Sequence, residues 1–294
     1  MKSVFSPLVW QALRLILVLI WISPVWAGHG PVKEPKQGIL LVAFGSSQAS
    51  AQVSFKHIEA KTRAAYPGVP VFWAYTSSTI RKKMADRGLI LDAPQVALSR
   101  MADQGFTHVA VQSLHTIGGG DYGNLKRMVA GFESMGVFEA IALGDPLLFT
   151  QADMARAVDA IFSTLPKARK KDEAVVLMGH GTHHPANAFY AALMFQVQLR
   201  DPNIFIGTVE GFPALVDIQD LLLDRGVEMA WLMPLMSVAG EHVKNDMAGD
   251  GADSWKSLLT RSGISCRSIP KGMAEYDAFV SIWVDHIKDA MARL

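Results

Sequence analysis

An internal repeat constrains the fold of this chain more than any other feature of its sequence. Three segments of one half match three segments of the other half in the same order: GILLVAFGSS with AVVLMGHGTH, YPGVPVFWAYTSS with DPNIFIGTVEGFP, and ADQGFTHVAVQSLHTIGGG with LDRGVEMAWLMPLMSVAGE. Such an ordered set of matches with similar spacing indicates two related halves. We therefore expect two similar domains rather than one large one.

Each half alternates short apolar runs with segments of helical periodicity. In the first half the apolar runs are residues 38–44, 69–75, 108–113 and 139–143. Strands that alternate with helices of this length predict an α/β fold with a parallel sheet flanked by helices. We expect two Rossmann-like domains, at 38–145 and 146–294, that face a central cleft lined by the strand-end loops of both. The amphipathic segment 275–294 predicts a terminal helix, and the sequence leaves open whether it packs on the N-terminal domain.

The first 27 residues have the pattern of a signal peptide. Lys2 and Arg14 precede a short apolar run, and Val25-Trp26-Ala27 presents small residues at the positions that a signal peptidase reads. We expect cleavage after Ala27, a flexible leader at 28–37 and a periplasmic protein with no stable membrane anchor. A retained anchor is the alternative, but the uncharged run is short for a membrane span of about 20 residues.

Composition excludes several classes of function. Removal of residues 1–27 leaves 26 basic and 27 acidic residues, a formal net charge of −1, which gives no reason to expect a nucleic acid partner. Cys266 is the only cysteine, so an exported form has no internal disulfide. The sequence has no phosphate-binding Gly-rich lysine motif, and we expect no use of nucleotide.

Three potential metal ligands follow three apolar runs of the second half. His180 replaces Phe44 of the first half, Glu210 stands where the first half has hydroxyl residues, and His242 follows after a further 32 residues. Because the carboxyl ends of parallel strands meet at one edge of a sheet, we expect these loops to converge. Two imidazoles and a carboxylate suit a divalent ion such as cobalt, nickel, iron or zinc, and leave coordination positions open. The alternative for His180 is a turn histidine that satisfies only loop backbone.

The chain resembles the anaerobic cobalt chelatases, the sirohydrochlorin cobaltochelatases, and more distantly ferrochelatase. The resemblance covers the chain from about residue 38 to the terminal helix. The matching pieces, in order, are Phe44-Gly45-Ser46-Ser47, Tyr75-Thr76-Ser77-Ser78-Thr79-Ile80-Arg81, Gln112-Ser113-Leu114-His115, Gly179-His180-Gly181, Val209-Glu210-Gly211-Phe212-Pro213 and Gly240-Glu241-His242.

The resemblance implies that His180, Glu210 and His242 bind the metal and that the macrocycle lies between the domains. Insertion of a divalent ion into a tetrapyrrole requires two pyrrole N–H protons to leave. An imidazole titrates near neutral pH, so His180 is the leading candidate for both proton acceptor and ligand, with Glu210 as ligand or proton acceptor. His183 and His184 follow the turn and are either solvated or proton shuttles at the rim.

Several loops are candidates for binding the carboxylates of the macrocycle, because amides at helix N-termini favour anions. Ordinary helix capping is the alternative, and it is at least as good an explanation for Thr76, Ser77 and Ser78. We place His115 at the cleft wall rather than on the metal. The candidate substrate-binding residues are Gly45, Ser46, Ser47, Ser77, Ser78, Arg81, His115, Gly118 and Gly119.

The sequence therefore predicts an exported chelatase that inserts Co²⁺, and also Fe²⁺ in vitro, into sirohydrochlorin without ATP. The alternatives are a periplasmic carrier for metal or metallo-tetrapyrrole, and a sirohaem-forming ferrochelatase that differs only in metal preference. The resemblance favours a homo-oligomer over a monomer. Haem binding stays open, because Tyr122 and Gly123 occupy the loop where we would expect an interfacial histidine.

Overall fold

The computed structural model describes residues 35–294. The predicted signal peptide at 1–27 and most of the predicted leader at 28–37 lie outside the described residues. Within the described part, no helix combines the length and the apolar character that crossing a bilayer requires.

Two four-stranded parallel sheets form the centre of the molecule. The first has the strand order β2-β1-β3-β4 and the second has the order β6-β5-β7-β8. The strands are β1 (Gln37–Ala43), β2 (Val71–Tyr75), β3 (His108–Ser113), β4 (Ala140–Gly144), β5 (Ala174–Gly179), β6 (Ile204–Thr208), β7 (Met229–Leu235) and β8 (Ser265–Ser268). Both sheets thus place their strands in the same spatial order, which confirms the predicted fold of two similar α/β halves.

Helices flank both sheets, as expected for strands buried on both faces. β1 and β5 are apolar along almost their whole length because each occupies an interior position of its sheet. The helices are α1 (Ala51–Ala65), α2 (Ser78–Ala85), α3 (Pro94–Asp103), α4 (Gly120–Ser134), α5 (Gln151–Thr164), α6 (Ala188–Gln198), α7 (Leu215–Asp224), α8 (Trp255–Arg261) and α9 (Asp277–Met291).

The register of the second sheet aligns three strand ends. Gly179, the last residue of β5, lies opposite Thr208 at the end of β6 and opposite Leu235 at the end of β7. The loops that carry the predicted metal ligands therefore leave the sheet at one level. This alignment is what allows residues about 30 positions apart in the sequence to meet.

The terminal helix α9 returns to the first half of the molecule. It packs on β3, β4 and α5, and the ring of Trp283 is fully buried. Its apolar positions Phe279, Val280, Trp283 and Ile287 recur at helical spacing, which gives the helix one buried face. The packing question that the sequence left open is thus answered by contacts with the N-terminal sheet.

One hydrophobic cluster runs through both halves. It includes Ile39 of β1, Val175 of β5, Trp231 of β7 and Trp283 of α9. Smaller clusters fill the other face of each sheet. The cleft between the halves is therefore built on a shared core.

Candidate active site

The strand-end loops of both halves line a cleft of about 660 Å³. This volume lies in the range of about 300–1,000 Å³ that is typical of small-molecule sites. Loops after β1, β2 and β3 form one wall, and loops after β5, β6 and β7 form the other. The site is thus at the carboxyl ends of the strands, as parallel sheets predict.

His180 stands on a tight turn directly after β5. Its Nδ1 lies 3.0 Å from the carbonyl oxygen of Gly181, so Nδ1 carries the proton that is donated. Gly181 has a φ of +79°, and a Cβ there would lie 2.1 Å from the backbone oxygen of Glu210. Only glycine permits this close approach, which holds the His180 turn against the loop after β6. The half-buried imidazole lines the cleft.

His242 begins a short π-helical turn, Val243–Met247. Its Nδ1 donates to Oδ2 of Asp246 at 2.5 Å. A π-helical turn is rare and frequently occurs at functional sites. Here it places a carboxylate behind the imidazole and fixes both the orientation of the ring and its tautomer.

The two imidazoles lie together at the centre of the site. The ring centroids of His180 and His242 are 4.9 Å apart and the rings are nearly perpendicular. Each ring commits its Nδ1 proton to a protein acceptor, so each Nε2 keeps a free lone pair. Phe44 of the other half packs 5.8 Å from His180 and gives this part of the cleft an apolar side.

Glu210 lines the same cleft but at its exposed rim. Its backbone N–H donates to the carbonyl oxygen of His180 at 2.7 Å, which joins the two loops. Among residues 35–294, however, no three histidine, cysteine, aspartate or glutamate side chains are grouped so as to hold one metal ion. The structure therefore brings together two of the predicted ligands, and a third bond from Glu210 stays a prediction.

Some of the candidate substrate-binding residues line the cleft and others do not. Gly45, Ser46, Ser77, His115 and Gly119 line it. The side chain of Ser77 also caps α2 by accepting a hydrogen bond from the backbone of that helix, so the capping explanation applies to this serine. The residues outside the lining are Ser47, Ser78, Arg81 and Gly118.

Arg81 instead forms hydrogen bonds with backbone carbonyl groups. Its guanidinium donates to the carbonyl oxygens of Tyr75 and Thr76 at 2.6 and 2.8 Å. These bonds satisfy backbone acceptors where β2 ends and α2 begins, and they turn the charge away from the cleft lining. Both bonds come from Nη1, and Arg81 is not among the residues that line the cleft.

His115 forms part of the cleft wall. Its Nδ1 lies 2.9 Å from the hydroxyl of Ser113, and its Nε2 lies 3.4 Å from that of Thr76. Burial lowers the pKa of His115, and the nearby charge of Asp121 opposes this shift only in part. Burial therefore favours the neutral imidazole and makes His115 a weaker proton acceptor than an exposed histidine.

The other two histidines of the His180 turn are exposed. His183 and His184 lie outside the lining, and Nδ1 of His184 accepts a hydrogen bond from the backbone of Ala186 at 3.1 Å. This bond caps the 3₁₀ turn Pro185–Asn187. Behind the turn, burial raises the pKa of Tyr190 to about 12, so its ring supports Gly179 as an un-ionised side chain.

Two residues of the site, Asp246 and Lys83, were not predicted from the sequence. The sequence offered a reason to predict Asp246, because it lies four positions after His242, a spacing at which helical side chains meet. It offered no reason to single out Lys83, which is one of several charged residues on α2. In the structure Lys83 lines the cleft and pairs with Glu241 of the opposite half at 2.9 Å. Its ammonium group holds the pKa of the Glu241 carboxyl below its usual range.

The paired sheets and the interlobe cleft define a two-lobed α/β protein of the chelatase class. Two solved structures share this fold. SirB from Bacillus subtilis with Fe³⁺ has a TM-score of 0.60 at 15% identity, over 87% of this chain and 96% of that one. CbiX, described as the terminal enzyme for biosynthesis of siroheme in denitrifying bacteria, has a TM-score of 0.53 at 17% identity, over 86% of this chain and 99% of that one.

Sequence comparison is more specific than the fold. Residues 37–292 match the cobalt chelatase (CbiK) family, and the chain belongs to that family. A sirohydrochlorin cobaltochelatase of Nitratidesulfovibrio vulgaris is 44% identical over 93% of this chain and 99% of its own length. The sirohydrochlorin cobaltochelatase of Salmonella typhimurium is 36% identical over 87% of this chain and 97% of its own length.

Proposed function

We propose that this protein inserts Co²⁺ into sirohydrochlorin without ATP. The observation that carries the proposal is the pair of imidazoles, His180 and His242, with ring centroids 4.9 Å apart in the interlobe cleft of a cobalt chelatase family member. Two relatives that match almost their full length bear the name sirohydrochlorin cobaltochelatase.

The arrangement suits metal exchange. The Nε2 atoms of His180 and His242 supply two neutral nitrogen ligands, which hold a divalent ion and leave coordination positions for ring nitrogens. Insertion releases two protons for each metal ion bound by the macrocycle. Once a ring nitrogen replaces His180 on the metal, that imidazole becomes free to accept one proton. Glu210, whose carboxylate lies at the rim of the cleft, is a candidate acceptor for the other proton.

A second metal has a specific observation in its favour. The solved structure of SirB, which shares the fold, contains Fe³⁺. Two imidazoles bind Fe²⁺ as well as Co²⁺, so the ligand set does not separate a cobalt enzyme from a sirohaem-forming one. The ratio of the two insertion rates is therefore a necessary part of the test.

The decisive experiment follows insertion directly. Purified protein is mixed anaerobically with sirohydrochlorin and either Co²⁺ or Fe²⁺, and the absorption of the macrocycle is followed against a control without enzyme. We expect accelerated insertion over many turnovers, faster with Co²⁺. A spectral change that stops at one equivalent of protein would instead identify a carrier.

We also propose that the protein is exported to the periplasm and is a homo-oligomer. The charge and apolar pattern of residues 1–27 supports export. Fractionation of expressing cells followed by N-terminal sequencing should find a periplasmic chain that begins at Gly28. Light scattering of this purified form should give a mass above that of one chain. A cytoplasmic protein with Met1 intact would contradict export, and the mass of a single chain would contradict the assembly.

A further inference from the structure

The carboxylate of Glu241 lies against several donors from the opposite half. Nζ of Lys83 lies 2.9 Å from Oε2 and 3.2 Å from Oε1. The hydroxyl of Ser47 donates to Oε1 at 3.2 Å, and Nε2 of Gln48 lies 3.5 Å from the same oxygen. All the donors follow β1 or belong to α2, whereas Glu241 follows β7. Three side chains of the N-terminal half thus converge on one carboxylate. Lys83 and Glu241 line the cleft, whereas Ser47 and Gln48 contact Glu241 from outside that lining.

The charges of this cluster differ from those of the rest of the cleft lining. Of the residues described as lining the cleft, Lys83 is the only lysine or arginine, whereas the same lining contains three carboxylates, those of Asp121, Glu210 and Glu241. Sirohydrochlorin, the proposed substrate, carries eight carboxylates. A polyanion that enters this cleft meets one cationic side chain, and that side chain is already occupied by a carboxylate of the protein itself.

The ion pair between Lys83 and Glu241 can be replaced at small cost by a pair between Lys83 and another carboxylate. The side chains of Lys83 and Glu241 are 45% and 36% exposed, and ion pairs that remain this solvated contribute little net free energy. One carboxylate can therefore replace another on the same donors at small cost. The loops after β1 and β7 also approach each other closely here, since a Cβ on Gly240 would lie 3.3 Å from the hydroxyl oxygen of Ser46.

We propose that Lys83, Ser47 and Gln48 form a binding subsite for one carboxylate of the macrocycle, and that Glu241 occupies it until substrate displaces it. The inference rests on the proposed function, because it takes a polycarboxylate macrocycle as the ligand. It also links substrate entry to the metal site. Glu241 directly precedes His242, so its release from Lys83 removes one contact of the loop that carries a proposed metal ligand.

The competing explanation is that the pair only clamps the two halves together. The two explanations differ in the effect of removing each partner. A clamp is weakened equally by loss of either charge. A subsite with an internal competitor is damaged by loss of Lys83 and improved by loss of the Glu241 charge.

The test measures equilibrium binding of metal-free sirohydrochlorin to the full chain by anaerobic absorption titration. The donors of this subsite stay partly solvated, so Lys83→Met should raise the Kd about 3-fold. Glu241→Gln should lower the Kd about 2- to 3-fold, because a neutral side chain competes poorly for an ammonium group. The double variant should resemble Lys83→Met, since removing the competitor has no effect without the subsite.

Matched controls exist on the same surface and in the same half. Lys82→Met changes an exposed neighbour on α2, and Glu228→Gln changes an exposed glutamate away from the cleft. Both should bind like the unaltered protein, and circular dichroism should show all variants folded.

Three results would overturn the subsite. Weaker binding in both Lys83→Met and Glu241→Gln would identify a clamp. Unchanged binding in both would show that no carboxylate of the macrocycle uses these donors. A folded, unaltered protein that binds no sirohydrochlorin would overturn the proposed function and the subsite together, so the two failures are distinguishable.

Discussion

At the scale of single residues, the orientation of the two central imidazoles depends on the hydrogen bonds that their Nδ1 protons make. Nδ1 of His180 donates to a backbone carbonyl and Nδ1 of His242 donates to a carboxylate. Metal-binding histidines commonly donate their second ring N–H in this way, which fixes the tautomer and strengthens the ligand. The arrangement leaves both Nε2 atoms available for the metal ion that we propose they bind.

We expect His180→Ala and His242→Ala each to reduce cobalt insertion to the rate without enzyme, because each removes one of two central nitrogen ligands. The measurement is the anaerobic insertion assay. His183→Ala is the matched control, since this exposed histidine of the same turn lies outside the cleft lining and should stay active. Full activity of either alanine variant at His180 or His242 would remove the proposed site.

Asp246 should act through His242. Asp246→Ala removes the acceptor at 2.5 Å from Nδ1 and should weaken Co²⁺ binding about 10- to 100-fold. Asp246→Asn keeps an acceptor oxygen and should restore part of the affinity. Competition titration against a chromophoric chelator measures the Kd without turnover. Asp253→Ala, an exposed aspartate of the following loop, is the control. Equal affinity of Asp246→Ala and the unaltered protein would contradict the role.

At the scale of secondary structure, the terminal helix α9 is fixed by a buried polar contact as well as by apolar packing. Nε2 of His286 lies 2.9 Å from Oδ1 of Asp153, at the start of α5. Nδ1 of the same ring lies 3.0 Å from the carbonyl oxygen of Asp145, in the segment that joins the two halves. Burial opposes ionisation of Asp153, but hydrogen bonds from Thr150 and His286 outweigh it and lower its pKa.

Because the pKa of Asp153 is lower in the folded protein, its ionised form stabilises the fold at neutral pH, and this contribution is lost as pH falls through the folded pKa, below about 4. Asp153→Asn should lower the free energy of unfolding at pH 7 by about 1–3 kcal/mol, through loss of charge-assisted bonds in a buried site. The difference between the two proteins should shrink at acid pH, where Asp153 of the unaltered protein is protonated as well.

Urea unfolding at pH 7 and at low pH measures both free energies. Asp159→Asn on the same helix is the control, because its side chain is 76% exposed and its pairing with Arg200 contributes little. A difference between Asp153→Asn and the unaltered protein that stays constant over the pH range would show that the ionisation of Asp153 does not matter.

At the scale of the whole molecule, the cleft lies between two halves that share one core. The hydrophobic cluster that contains Ile39 and Val175 also contains Trp283, and α9 closes the chain back onto the first sheet. The halves are therefore repeats in sequence but not independent in packing. Such a shared core favours a single cooperative unfolding transition.

We expect the two halves of the molecule to unfold in urea with the same midpoint. Tryptophan fluorescence, which reports on tryptophans of both halves, among them Trp73 in the first sheet and Trp231 in the second, should follow the same curve as circular dichroism. Trp283→Ala should shift both probes together and lower the free energy of unfolding by about 3–5 kcal/mol, the cost of a large cavity in a core. Trp283→Phe keeps most of the volume and should cost less. Two separate transitions would contradict a shared core.

The architecture was predictable from the sequence alone, and so was the convergence of His180 and His242 in the cleft. The repeat predicted two similar α/β halves, and the apolar runs predicted their strands, because burial on both faces requires continuous apolar residues. The strand β3 was predicted with its observed bounds, 108–113. His180 and His242 were also predictable, since each follows a strand and parallel strands end at a common edge.

The partners of the polar side chains depend on the tertiary structure alone. Arg81 turned to local carbonyls, Glu210 stayed at the rim, and Lys83 met a carboxylate 158 residues away. It also decided that α9 packs on the N-terminal half, because amphipathic spacing shows that a helix has a buried face but not which surface covers it. Periodicity and strand order are local or repeated properties of the chain, whereas hydrogen-bond partners depend on distances that exist only after the two halves have packed together.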